Sequence, residues 1–425
     1  MSLSKVLSYF AIVLAAIGTA LSVSFLIGLG TVLFEVFAKV SAYSWWAPLI
    51  WTPTVTVCIV YLITRYVPGA AGTGSPHAII GTDPRLHKNE RSLFLSVKLA
   101  ISKIFLTAGA FFAGLSLGNE GPAVQIGAAL MHSIRKVTKH AKEITIESLI
   151  MLGNGIGLAV CFGSVLGGIF YCIERMNRTF FESNKFLVML GVLSATVVCL
   201  YFFGTTPHYG LISFDPITVE LLFPVVLLLV LSLIASTVWI KALIYGVNGA
   251  TRFGKIKSRY PLIVAGVCGF LVALIGVLSQ GSITGASELY THQLFDTNAE
   301  YLSWFAPAKL ISSILTAWSG VSAGMFIPML NIGGGIGAFV AKSLSMGYVS
   351  ILVTLGMAVF LASVSRAPLT ATIIVADVSG AWPLIVLILL VSVVASKLSS
   401  MVCPDLWDTQ IDMMLNKIIK ERKVQ

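Results

Sequence analysis

Apolar runs long enough to cross a bilayer follow one another along almost the whole chain, and they fix its fold class. They occupy residues 10–34, 50–63, 93–117, 149–173, 186–203, 221–243, 261–278 and 383–401, with more apolar material at 310–323, 326–340 and 351–364. A clean helical span needs about 20 apolar residues, and several of these runs are shorter or are interrupted by Gly and Pro. The reading is therefore an all-α integral membrane chain, almost wholly embedded, with many helices that do not span cleanly. Composition excludes a soluble fold: 57% of residues are hydrophobic and 11% charged, against about 25% charged in soluble domains.

The first run is far longer than the roughly 7–15 residues of a signal-peptide core, so it reads as a retained helix. The formal net charge of +10 gathers in loops at residues 87–91, 135–142 and 255–259 and in the tail at 417–423. Such clusters read as positive-inside topology signals rather than a nucleic-acid surface, and they put the C-terminus in the cytoplasm. Six cysteines (Cys58, Cys161, Cys172, Cys199, Cys268, Cys403) lie singly, mostly in apolar runs. With no CxxC and no Cys/His cluster, the sequence indicates no metal site, no cofactor and no disulfide framework.

One carboxylate is out of place in such a chain. Glu120, in Gly118-Asn119-Glu120-Gly121-Pro122, lies between two apolar runs. An acid inside a membrane segment costs roughly 2.5–3.5 kcal/mol on insertion scales and reads as functional. The Gly and Pro spacing of its motif returns in Gly324-Met325-Phe326-Ile327-Pro328. Gly118, Pro122, Ile126 and Gly127 match Gly324, Pro328, Ile332 and Gly333 at identical offsets. Further on, Gly157, Ala159, Val160, Ser164 and Val165 match Gly356, Ala358, Val359, Ser363 and Val364. Two matches in the same order point to an internal duplication within one membrane domain covering residues 1–425. The repeats run from about 1 to 208 and from about 209 to 425, the second including a short cytoplasmic tail.

Duplicated transporters place their site at the repeat interface, where broken helices aim their N-termini at an anion. Both motifs suit that role. Pro122 and Pro328 fit a first helical turn, where a missing N–H costs nothing. Unpaired N–H groups and the positive end of the helix dipole then face a ligand. Neither motif contains Lys or Arg, so an anion there would be held by partial charges, which favours fast exchange. Gly72-Thr73-Gly74-Ser75-Pro76 is a third candidate helix start, with an ordinary Gly/Ser/Pro loop as its competing reading.

Over nearly its whole length the chain resembles the CLC chloride channel/transporter family. The resemblance rests on four ordered signatures: a GSGIP-type loop at residues 72–76, a GxEGP motif at 118–122, a GxFxP motif at 324–328, and an aromatic residue before a C-terminal helix in Leu406-Trp407-Asp408-Thr409. It implies two inverted-topology repeats of short, tilted and re-entrant helices, and a homodimer with one anion pathway per subunit. It also implies a bacterial-type plasma (inner) membrane and chloride transport, with or without proton counter-transport (Cl⁻/H⁺ antiport). Glu120 takes the place of the family's gating glutamate. Thr73, Gly74, Gly121, Met325, Phe326 and Trp407 fall at anion-binding positions, with Thr73 in place of the usual Ser. Lys103 matches a buried lysine that raises the local potential for anions; a snorkelling helix residue is the competing reading.

The departures define what stays open. Trp407 stands where the family usually has a Tyr whose hydroxyl touches the anion. Asn119 replaces a common basic residue. Arg175, in Ile173-Glu174-Arg175-Met176, occupies the position where antiporters carry a proton-relay acid, and a guanidinium cannot relay protons. Glu174 reads as structural, pairing or capping near a helix end. The alternatives are therefore a passive chloride channel or an uncoupled chloride transporter, then a fluoride exporter. An intramembrane hydrolase using Ser164 or Ser363 is remote, because such a nucleophile needs a base in reach. The histidines (His77, His87, His132, His140, His208, His292) lie mainly in loops or at helix ends.

Overall fold

A computed structural model of the chain describes residues 3–139, 144–175, 178–204, 207–210, 212–214, 216–297, 299, 301–344 and 347–422. Of the residues singled out above, His140, Lys142, Met176 and Lys423 lie outside this range. The first half comprises α1 (Leu3–Tyr43), α2 (Ala47–Tyr66), α3 (Ser75–Ile79), α4 (Lys88–Phe94), α5 (Val97–Phe112), α6 (Glu120–Ser133), α7 (Arg135–Thr138), α8 (Ile146–Phe162), α9 (Val165–Arg175) and α10 (Arg178–Phe203). The second comprises α11 (Leu222–Val247), α12 (Arg252–Arg259), α13 (Pro261–Leu278), α14 (Glu288–Gln293), α15 (Phe305–Ser319), α16 (Phe326–Ser343), α17 (Val349–Ser365), α18 (Pro368–Ser379), α19 (Ile385–Val402) and α20 (Leu406–Arg422).

Among the described residues, six stretches are long and apolar enough to cross a membrane: Val6–Tyr43, Ala47–Tyr66, Asn89–Phe112, Val219–Val247, Pro261–Leu278 and Trp382–Val402. Their outward faces carry large apolar side chains such as Phe10, Phe223, Ile263 and Val386, the pattern a lipid-facing surface requires. The buried centre is built instead from the shorter helices α6, α8, α16 and α17. They pack closely because glycines line their contacts. A methyl on Gly127 would sit 2.1 Å from the Gly153 carbonyl oxygen, and one on Gly333 would sit 2.2 Å from that of Gly356. Without a hydrophobic drive between helices in lipid, this close approach is what holds them together.

Two apolar runs are not single helices. Residues 149–173 split at Gly163, which adopts φ +65°, and Ser164 then caps α9 by accepting the Gly167 N–H at 3.0 Å. Residues 93–117 yield α5, capped by Ser96, but the helix stops before Gly114 (φ +73°) and residues 115–118 run extended. An extended stretch is tolerated inside a membrane protein only where protein satisfies its backbone. Here the partners come from the other half. Gly118 and Gly324 exchange two N–H···O bonds of 2.9 Å each across an antiparallel bridge. On one side Gly72 N–H donates to Val321 O (3.0 Å) and Ala323 N–H to Gly72 O (3.4 Å). On the other Gly285 N–H donates to Leu115 O (2.9 Å) and Leu117 N–H to Gly285 O (3.2 Å). These two contacts are images of each other, because 115, 117 and 118 correspond to 321, 323 and 324 in the repeat. The Gly118–Gly324 bridge therefore lies on the axis relating two inverted halves.

Candidate functional site

Glu120 is the first residue of α6 and is 2% exposed. Its side chain turns back over the axial bridge: Oε2 accepts the Ile327 N–H at 3.4 Å, at the start of α16. The carboxylate rests against the Cα hydrogens of Gly118 and Gly324, where a methyl would lie 2.4 Å and 2.9 Å from Oε2. One acid thus begins one helix and occupies the N-terminus of its repeat partner. Met325 and Phe326 sit at that same terminus, next to Ile327, whose N–H reaches Glu120.

The Thr73 loop closes on the same place. Gly74 has φ +91°, and a methyl on it would lie 2.3 Å from the Gly121 carbonyl oxygen. One on Gly121 would lie 1.8 Å from the Thr73 oxygen. Lys103 fixes this loop from behind. Its side chain is fully buried and donates from Nζ to Ala70 O (2.9 Å) and Gly72 O (3.0 Å), so it points inward and does not snorkel. Lys309, its repeat equivalent 206 residues on, is equally buried. Its Nζ donates to Ile283 O, Gly285 O and Ser287 Oγ at 3.0, 3.0 and 2.8 Å. Sequence reasoning missed Lys309, although the repeat offset applied to Lys103 lands on it.

Trp407 is buried at the start of α20 and packs against Phe326, the rings tilted by 38° with centroids 5.4 Å apart. Tyr171, from α9, meets both rings edge-on, 6.3 Å from Phe326 and 6.2 Å from Trp407. A cavity of about 500 Å³ reaches this region from one side of the molecule, lined among others by Thr73, Met325, His77, Lys257 and Lys417. The structure therefore brings Thr73, Gly74, Glu120, Gly121, Phe326 and Trp407 into one neighbourhood, with Lys103 behind it.

Arg175 is engaged elsewhere. It bonds Asp405 Oδ2 through Nη1 (2.8 Å) and Asp408 Oδ1 through Nη2 (3.3 Å), and its guanidinium carbon lies 4.8 Å from the Trp407 ring centroid. Burial and the neighbouring Asp405 charge push the Asp408 carboxyl above its ordinary range, against the pull of Arg175. The adjacent Glu174 accepts the Leu369 N–H (2.8 Å), the Thr370 N–H (2.7 Å) and the Thr370 hydroxyl (2.7 Å), so it caps α18. Ser164 donates to Asp377, and Ser363 bonds the Val359 carbonyl one turn back. Both hydroxyls serve helix geometry.

Inverted halves, broken helices meeting at their N-termini, and membrane-length helices with exposed apolar faces define a multi-pass integral membrane protein. The model of the voltage gated chloride channel family matches residues 54–400, and the chain belongs to that family. It is 27% identical over 340 residues to the H(+)/Cl(-) exchange transporter ClcA of Yersinia pestis bv. Antiqua (strain Angola), covering 76% of this chain and 69% of that one. It is 27% identical over 385 residues to ClcA of Cronobacter sakazakii (strain ATCC BAA-894), covering 86% and 79%. Its fold is similar to that of a slow cyanobacterial Cl-/H+ antiporter (TM-score 0.80, 18% identity, 96% and 98% covered). It is also similar to that of a CLC-type fluoride/proton antiporter (TM-score 0.75, 19% identity, 96% and 97% covered).

Proposed function

We propose that the chain carries chloride and similar small anions across the membrane through a pathway in each subunit, gated by Glu120. The observation that supports this most directly is the seat of the Glu120 carboxylate on the Ile327 N–H, where α6 and α16 both present their N-termini. Such a terminus is an anion site. A carboxylate placed there takes the ion's position, and protonation removes the charge that holds it. Thr73, Gly74, Gly121, Met325, Phe326 and Trp407 surround the ion in this reading, and Lys103 supports it electrostatically. Backbone dipoles hold the ion without trapping it, as conduction requires. A homodimer in a bacterial-type inner membrane, with a cytoplasmic C-terminus, belongs to the same proposal.

Exchange of chloride for protons is the first reading of coupling. A gate that leaves its seat on protonation carries a proton each time it opens, and the relatives described above are named as exchangers. Uncoupled chloride movement is the second reading, and Arg175 favours it. A guanidinium clamped between Asp405 and Asp408 holds its proton at any working pH. Fluoride is the lesser alternative, resting on Thr73 and Trp407 as departures from the usual Ser and Tyr.

Reconstitution into sealed liposomes with a chloride gradient and no pH gradient tests this. Exchange predicts chloride flux that drives protons uphill. Chloride flux with no proton movement would leave the uncoupled reading, and fluoride flux with no chloride flux would remove both.

A further inference from the structure

The environment of Tyr171 is incomplete in a specific way. Its side chain is fully buried on α9, yet its hydroxyl forms no hydrogen bond among the described residues. Native interiors rarely leave a buried polar group unpaired, and such a group calls for an unseen partner. The Ser75 hydroxyl lies beside it without completing a bond. The Tyr171 ring stands edge-on to Phe326, the first residue of α16, and edge-on to Trp407. The unpaired donor therefore lies where the Thr73 loop, the start of α16 and the start of α20 meet. Arg175, one turn further along α9, commits both terminal nitrogens to Asp405 and Asp408. Trp407 has no hydroxyl to offer.

We infer that the Tyr171 hydroxyl is a direct ligand of the anion held in front of α16, supplying from α9 the O–H donor that position 407 lacks. A phenol donates one hydrogen bond with no charge. Its partner is thus a small acceptor such as a halide, held by a dipole as at the helix termini. The inference deepens the chloride reading above and rests on it.

The test is chloride titration of the purified full-length protein by calorimetry, comparing wild type with Tyr171→Phe, which keeps the ring and removes the hydroxyl. The dissociation constant should rise by roughly two- to tenfold, the range of one neutral hydrogen bond. Chloride-dependent stabilisation against heat should shrink, while the variant in chloride-free buffer melts no lower than wild type, since it loses an unpaired group. Equal affinity in the two proteins would overturn the inference and assign the hydroxyl to a structural water. A wild type that binds no chloride would instead sink the transport reading beneath it.

Discussion

Glu120 is held by backbone groups: the Ile327 N–H, the N–H groups of Asn119 and of Glu120 itself, and the bare Cα faces of Gly118 and Gly324. A methyl on Gly118 would lie 2.4 Å from Oε2 and 2.6 Å from Oε1 of Glu120, and of the two the flexible side chain is the one that yields. Gly118→Ala should therefore displace the carboxylate, raising anion flux at neutral pH and flattening its pH dependence. A flux assay that returned the wild-type pH profile would place the carboxylate elsewhere in the working protein. Glu120 was legible from sequence because an acid in an apolar run is too costly to persist there without a use. Ile327 was not, because which N–H of a helix terminus a side chain reaches depends on geometry. Tyr171 gave no signal: an aromatic residue in an apolar run reads as packing until its hydroxyl is seen to lack a partner.

At the scale of elements, apolar runs located the helices but not their breaks. The 149–173 run reads as one span, yet the left-handed turn at Gly163 and the Ser164 cap divide it into α8 and α9. The 93–117 run ends in extended chain whose partners lie far away in sequence, at Gly285 and Gly324, and no local pattern announces such pairing. Glu174 shows how these breaks are stabilised, because it satisfies two N–H groups and a hydroxyl at the start of α18. Losing a cap of this kind costs about 0.5–2 kcal/mol. Glu174→Ala should accordingly lower thermal stability by that amount and leave any proton coupling of the reconstituted protein unchanged. Loss of coupling with stability intact would make Glu174 a proton relay rather than a cap.

At the scale of the whole molecule, the inverted repeat organises everything near the site. The axial glycine bridge, the mirrored pairs at Gly72 and Gly285, and the buried lysines all obey it. Lys103 donates to Ala70 O and Gly72 O, and Lys309 to Ile283 O and Gly285 O; removing such a buried donor costs about 1–3 kcal/mol. Lys103→Met and Lys309→Met should thus destabilise the protein by similar amounts in thermal melts. A large effect from one and none from the other would show that the repeats no longer share this support. The central claim, that Glu120 gates an anion pathway, is tested most directly by following chloride efflux and pH together in liposomes bearing wild type or Glu120→Gln. Acid neutralises the carboxylate and frees its seat, so wild-type flux should rise as pH falls. The neutral Gln should pass chloride at a rate independent of pH and move no protons. If Glu120→Gln kept a steep pH dependence, the gate would lie in another residue and the account would be wrong.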